Sequence, residues 1–403
     1  MRTLTFNRVI GAGAMGSVYH AELRAPGGFV RVCAVKVMKA SGPDGEQFMA
    51  RMRDEARLLG MLQDESILGV ADLVHVGERD AVIMDFVDGC DLSDLIRLKR
   101  VTPRALAELG SEIAGTLHRA HGAKHPSNGR PLNVIHRDIK PANVMITLRG
   151  SVKLLDFGVA RAAFSDRESQ TQGLVLGTLN YFPPEILAGA EPTQAVDIYG
   201  LGITLWECAA GKEWGSPQAQ QQRFEKRVDQ RLSELGPEYR EIIPVLRSIL
   251  QWDPKLRPDG GTVERSLQSV AGNAPGEGLR VWARDVVPVV LAERDKRVKD
   301  VKDDLVGKTL EVRGLPKDER SDVEVLDHAV PTPAPPPTAK APPAKAPPAK
   351  APQAKAPSKG KPRVQTTSGS ILPLAVAGGV LALLLAGSLL LVVAIVVVIV
   401  LMQ

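Results

Sequence analysis

The sequence predicts an α+β fold in two lobes, a small β-rich lobe followed by a larger helical one, trailed by a Pro/Ala/Lys-rich linker and one C-terminal transmembrane helix. Three observations predict it. Residues 1 to about 85 alternate short β-branched runs with Gly-rich turns, the texture from about 92 onward is helical, and the C-terminal end is almost wholly aliphatic. A two-part texture of this kind implies a cleft between lobes, the usual place for a ligand.

In the first part, Thr3–Ile10, Val18–Leu23 and Val30–Met38 read as strands. Glu46–Leu62 then sets Phe48, Met52, Ala56, Leu59 and Leu62 at helical spacing, and Leu73–Val76 and Ala81–Phe86 resume the strand pattern. Pro103–His121, Ala195–Ala210 and Pro237–Trp252 each carry the apolar period of a helix. Residues 271–330, with Glu293-Arg294-Asp295-Lys296-Arg297 among them, read as a charged, solvated extension of the domain, part of which could be helical.

Residues 331–363 cannot build a core. Lys340, Lys345, Lys350 and Lys355 recur every five residues among Pro and Ala, a composition that favours polyproline II and a reach of roughly 100 Å at ~3.1 Å per residue. Residues 371–402 hold no charged side chain, and at ~1.5 Å per residue a helix of that length exceeds the ~30 Å hydrocarbon core of a bilayer. Lys359, Lys361 and Arg363 on its N-terminal side keep the large domain cytoplasmic by the positive-inside tendency. With Gln403 alone after the run, the expectation is a single-pass, tail-anchored protein of the inner (cytoplasmic) membrane with no sensor domain outside. Gly378, Ala382 and Ala386 form a small-residue face through which two such helices could pair as a homodimer; the alternative is an anchor alone.

The net charge of +5 is local. Residues 331–363 hold seven Lys/Arg and no Asp/Glu, which leaves 44 basic against 46 acidic side chains elsewhere. With four Tyr and four Trp in 403 residues there is no aromatic platform either, so no nucleic-acid partner is expected. Cys33, Cys90 and Cys208 follow no metal-ligand spacing and read as packed thiols in a reducing compartment. The opening MRTLTFNRVI lacks the features of a signal peptide.

The chemistry begins at Ile10-Gly11-Ala12-Gly13-Ala14-Met15-Gly16-Ser17-Val18. Glycines so spaced let a backbone turn approach phosphates and aim N–H groups at them. Dinucleotide-binding folds use a similar run, but no βαβ unit follows here; the next element is the strand-like Cys33-Ala34-Val35-Lys36, whose Lys can reach bound phosphates from the side. Glu55 lies mid-helix 19 residues later as a carboxylate that could hold Lys36. The decisive stretch is Val134-Ile135-His136-Arg137-Asp138-Ile139-Lys140-Pro141-Ala142-Asn143, which gathers a candidate base, a cation and an Asn. Thirteen residues on, Asp156 follows an apolar strand in Leu154-Leu155-Asp156-Phe157-Gly158. An Asp and Asn oxygen pair suits Mg²⁺, which keeps waters and substrate phosphates as its other ligands.

Taken in this order, the motifs resemble those of the eukaryotic-like (Hanks-type) Ser/Thr protein kinase family over residues 4–270, in the texture of its bacterial, membrane-anchored members. Gly177-Thr178, Pro183-Pro184-Glu185, Asp197-Ile198-Tyr199-Gly200-Leu201-Gly202 and Asp253-Pro254-Lys255-Leu256-Arg257-Pro258 extend the match. The resemblance implies the bilobal protein kinase fold, ATP and Mg²⁺ as cofactors and protein substrates with Ser/Thr hydroxyls. It implies that Lys36 binds the α/β-phosphates and pairs with Glu55, that Asp138 accepts the substrate's proton and that Lys140 neutralises the transferred phosphoryl. Asn143 and Asp156 would hold the metal, and the backbone of Met84-Asp85-Phe86-Val87 would bind adenine. Lys140, two residues after Asp138, is the family's Ser/Thr signature, and Glu185 and Arg257 are expected as a structural ion pair. Arg137 before Asp138 is the arrangement of members controlled by activation-loop phosphorylation; among Ser165, Ser169, Thr171 and Thr178, the expectation is autophosphorylation at Ser169 or Thr171. Thr178 is expected to hydrogen-bond near Asp138 and Lys140.

The sequence departs from the family in three places: Pro183 replaces the usual Ala, Asp64-Glu65-Ser66-Ile67 lacks the common His-Pro-Asn, and Lys124–Leu132 is an insert. None touches a catalytic group. A membrane-tethered pseudokinase scaffold is the alternative from another class, and it predicts damage at Lys36, Asp138, Asn143 or Asp156, all of which are intact. A small-molecule phosphotransferase would lack Pro183-Pro184-Glu185, the Asp197 helix and Arg257.

Overall fold

Residues 1–12, 16–38, 56, 58–62, 64–98, 101–157, 179–298 and 303–314 are described in a computed structural model of the chain. The strands are β1 (Arg2–Ala12), β2 (Gly16–Arg24), β3 (Val30–Met38), β4 (Val70–Val76), β5 (Arg79–Asp85), β6 (Gly89–Asp91), β7 (Val144–Thr147), β8 (Val152–Leu154) and β9 (Thr309–Gly314). The helices are α1 (Leu92–Leu98), α2 (Pro103–His121), α3 (Pro184–Leu187), α4 (Ala195–Ala210), α5 (Gln221–Ser233), α6 (Ile243–Ile249), α7 (Gly260–Asn273) and α8 (Leu279–Val298).

Six strands close a barrel in the order β1-β2-β3-β5-β4-β9 and form the N-terminal lobe. Alternate residues fill it: Leu4 and Phe6 from β1, Tyr19 and Ala21 from β2, Cys33, Val35 and Val37 from β3, Val74 and Val76 from β4. Strand β3 therefore sends Lys36, which stands between Val35 and Val37, to the opposite face. The C-terminal lobe packs helices around α2 and α4, the latter nearly continuous in buried residues, together with the small sheet β6-β7-β8.

Two elements differ from the sequence expectation. Pro237–Trp252 is not one helix but a 3₁₀ turn, Pro237–Tyr239, followed by α6. Pro244, with its fixed φ and missing N–H, suits the first turn of a helix rather than its interior. More consequentially, residues 279–298 and 303–314 are not a solvated extension. Leu279, Trp282, Ala283, Val286, Val287 and Val290 lie buried at helical spacing and pack α8 into the C-lobe core, while β9 completes the N-lobe barrel. The aliphatic stripe is present in the sequence, but the charges around it and Pro288 inside it hide the period.

Cys33, Cys90 and Cys208 are buried free thiols. Among the described residues no helix is long and apolar enough to cross a membrane. The linker 331–363 and the aliphatic run 371–402 lie outside the described residues.

Candidate active site

The loop that carries Asp138 is built from below. Asp197, in the first turn of α4 and 1% exposed, accepts hydrogen bonds from the backbone N–H of His136 at 2.8 Å and of Arg137 at 2.7 Å, and pairs with His121 Nε2 at 2.8 Å. Those bonds hold Arg137 at φ 64°, a left-handed conformation that costs a non-glycine residue energy unless its surroundings impose it. One turn along α4, Gly200 lets the loop come down onto the helix: a Cβ there would stand 2.7 Å from the Ile139 carbonyl oxygen. His136 is wholly buried against Phe157, ring centroids 4.4 Å apart. Burial lowers its pKa below the ordinary histidine value, against the pull of the Asp197 and Asp138 carboxylates.

Above this floor the polar side chains converge on Asp138. Lys140 Nζ donates to Asp138 Oδ2 at 2.8 Å, and Asn143 Nδ2 donates to the same oxygen at 2.9 Å and to the Asp138 carbonyl at 2.8 Å. With its amide nitrogen engaged twice, Asn143 has Oδ1 as its oxygen for a cation. The hairpin β7–β8 sets Asn143 beside Asp156, because Val144 pairs with Leu154 and Leu155 N–H donates to the Asn143 carbonyl at 2.9 Å. Asp156 takes φ 49°, a second left-handed non-glycine residue in the same site. Its Oδ2 lies 3.2 Å from Lys36 Nζ, so the two lobes meet at a cation and a carboxylate. Desolvation in the cleft opposes ionisation of the half-exposed Asp156, but the Lys36 ammonium outweighs it and holds the carboxyl below the usual carboxylate range. Asn143 Oδ1 and Asp156 are adjacent hard oxygen donors, a set that fits Mg²⁺.

The remaining expected residues border the cleft. Val18 on β2 pairs with Lys36, and Ala34 on β3 pairs with Met84 at the end of β5, which brings the glycine-rich strand pair and residues 84–87, the hinge that leads from one lobe to the other, to one side of the barrel. Ile10, Gly11 and Ala12 end β1, and Gly16 and Ser17 open β2. Gly16 answers to the sheet more directly than to a phosphate: a Cβ there would lie 2.1 Å from the Val37 carbonyl oxygen of β3. The Asp85 side chain pairs with Arg31 on β3, and Val87 follows two residues on. Gly13, Ala14, Met15 and Glu55 lie outside the described residues, as do Gly158, Ser165, Ser169, Thr171 and Thr178.

The expected ion pair is formed. Arg257 donates from both terminal nitrogens to Glu185, at 2.6 and 2.8 Å, and its guanidinium lies over the Tyr199 ring at 4.9 Å. The insert Lys124–Leu132 folds back on itself, with Lys124 bridged to Pro131 and His125 N–H donating to the Arg130 carbonyl. Sequence reasoning gives Asp197 a place in a motif but no role, and passes over His121. The available signal was an Asp opening an otherwise apolar helix with a glycine one turn on.

The chain is similar to several bacterial proteins. It is 34% identical to the serine/threonine-protein kinase PknD of Mycobacterium tuberculosis over 238 residues, 59% of this chain and 33% of that one. It is 34% identical to PknA of the same organism over 211 residues, 51% of this chain and 46% of that one. The chain thus spans less than half the length of these two relatives. In structure it is similar to the crystallised kinase domain of Mycobacterium tuberculosis PknI, a double mutant, with TM-score 0.50 and 25% identity over 67% of this chain and 96% of that one. The protein kinase domain family matches residues 4–269, a span that contains the Asp138 loop, the Lys36 strand and the Asp197 helix together. On that match, and on a site whose parts meet in space, the chain belongs to the protein kinase domain family.

Proposed function

We propose that the chain is a Ser/Thr protein kinase that transfers the γ-phosphoryl group of ATP to Ser/Thr hydroxyls of proteins. The observation that carries the reading is the convergence of Lys140 and Asn143 on Asp138 Oδ2, with Lys36 and Asp156 facing each other at 3.2 Å. In this reading Asp138 orients the attacking hydroxyl and takes its proton, and Lys140, already bonded to Asp138, stands where charge grows on the transferred group. Lys36 binds the α/β-phosphates from the N-lobe. Mg²⁺ held by Asp156 and Asn143 Oδ1 would supply charge neutralisation at the phosphates. The protein's share of catalysis is positioning and electrostatics, so single charged groups matter greatly. Asp138→Asn should lower turnover on a generic Ser/Thr substrate by at least about 100-fold while nucleotide binding persists. Equal residual phosphorylation by wild type, Asp138→Asn and Lys36→Ala would sink the enzymatic reading.

The activation segment extends the reading. Arg137 precedes Asp138 and its backbone N–H is held by Asp197, so a phosphate on Ser169 or Thr171 would have a guanidinium on a fixed backbone to pair with. Mass spectrometry after incubation with ATP should find phosphate within residues 159–183; phosphosites confined to other regions would end this proposal. The uncharged run 371–402 supports a membrane anchor, with the kinase domain on the cytoplasmic side and protein substrates met at the membrane surface.

A further inference from the structure

The hinge is not the only tie between the lobes. Helix α8 is rooted in the C-lobe core by Leu279, Trp282, Val286 and Val290. Its last turn then reaches to both sides of the cleft mouth. Arg294 Nη1 donates to the Gly89 carbonyl at 3.2 Å, just past the hinge, and Arg297 Nη2 donates to Asp94 Oδ1 on α1 at 2.6 Å. Asp295 Oδ1 accepts from Arg8 Nη1 at 3.1 Å, on the β1 strand two residues before Ile10. Val298 and Asp303 are five positions apart in the chain, a distance of at most about 18 Å for any chain.

Beyond that short span the chain is woven into the N-lobe. Leu305 and Val312 lie in the barrel core, and Asp304 pairs with Arg79 at the start of β5. Strand β9 pairs with β1 over Arg2–Thr5 and with β4 over Val74–Val76. Phe6 N–H donates to the Lys308 carbonyl at 3.0 Å, and Gly307 N–H to the Phe6 carbonyl at 2.8 Å. The strand that leads into the glycine-rich turn is therefore hydrogen-bonded to a segment rooted, through α8, in the opposite lobe. A hinge of a few residues lets two lobes rotate, whereas a second tie fixes how far they part.

We propose that α8 and the segment 303–314 form a clasp that holds the lobes at the closure needed for nucleotide binding and transfer, with Arg294, Asp295 and Arg297 as its bridging turn. This rests on reading the cleft as a nucleotide site. These three are positioning residues, acting through β1 and the hinge.

Two perturbations test it in the full chain. The triple variant Arg294→Ala, Asp295→Ala, Arg297→Ala removes the bridging turn from the protein surface. Val312→Asp places a charge in the barrel core to release β9. Each should weaken binding of a fluorescent ATP analogue about five- to tenfold, measured well below the melting temperature, and raise the nucleotide KM more than it lowers kcat. The paired exchange Arg8→Asp with Asp295→Arg should bind the analogue more tightly than either single exchange. A merely structural segment would lower the melting temperature and leave nucleotide affinity of the folded protein unchanged. If Val312→Asp does not fold, the triple variant still decides. Affinity and kinetics of the triple variant within about twofold of wild type, or tighter binding, would overturn the clasp. An inactive Asp138→Asn beside unaffected clasp variants would remove the clasp alone, and an active Asp138→Asn would remove the kinase reading.

Discussion

Asp197 and His136 show how far the reacting groups depend on residues that never meet a substrate. The Asp197 carboxylate spends its lone pairs on two backbone N–H groups and a histidine, so the strained Arg137 backbone is fixed before anything binds. His136 fills the space beneath, neutral because burial lowers its pKa. The sign of its contribution to stability follows. An unfolded chain protonates histidine below about pH 6.5, whereas folded His136 stays neutral to lower pH, so stability falls as pH drops below about 6.5 and is unaffected above it. The slope cannot exceed about 1.4 kcal/mol per pH unit for one proton. His20, also lowered by burial, contributes in the same direction. The informative comparison is therefore wild type against His136→Asn: the melting temperature of the variant should depend less on pH between 7 and 5, and parallel curves would refute the argument. The sequence made the charged residues legible because phosphoryl transfer needs those types in that order. It did not reveal the supports, whose roles exist only once α4 lies beneath the loop.

At the scale of elements, the site depends on how closely α4 approaches the catalytic loop and how β3 and β2 are zipped. Both approaches are made by missing side chains. Gly200→Ala would bring a Cβ to 2.7 Å from the Ile139 carbonyl oxygen and 3.1 Å from its Cβ, and neither partner is a flexible tip. The expected cost is about 1–3 kcal/mol in stability, and kcat should fall because the displaced residue adjoins Asp138. Gly272→Ala, in α7 with nothing near its added methyl, serves as the control and should be neutral or slightly stabilising. Equal effects of the two substitutions on melting temperature and kcat would show that the close approach is unimportant. The longer strands of residues 1–85 and the helices Pro103–His121 and Ala195–Ala210 were legible because each carries its own period, whereas Pro237–Trp252 was broken by Pro244. Strand β9 was not: Thr309–Gly314 is a short run whose partners, β1 and β4, lie more than 200 residues earlier, and pairing at that range leaves no local mark.

On the scale of the whole molecule, two kinds of physics occupy one chain without overlap. The described part buries its apolar residues in a barrel and a helical core, with ion pairs such as Glu185–Arg257 enclosed between elements. The aliphatic run 371–402 has no such partner in its own sequence neighbourhood, since 331–363 is Pro, Ala and Lys and can cover nothing. On the proposed reading, a run of that length and polarity gains more from a bilayer than from water, and a linker able to reach roughly 100 Å would leave the domain free of the surface. Removing 371–402 should therefore move the protein from the membrane pellet to the soluble fraction, and two Lys residues placed at its centre should do much the same, at a cost of about 5–7 kcal/mol for insertion. Turnover of a small soluble peptide should stay within about twofold of the full chain, because Lys140 and Asn143, which the described residues bring onto Asp138, belong to the folded domain. Phosphorylation of membrane-bound proteins should fall, since anchoring raises their local concentration. Pellet fractions that resist both changes would show that something other than this run holds the protein at the membrane.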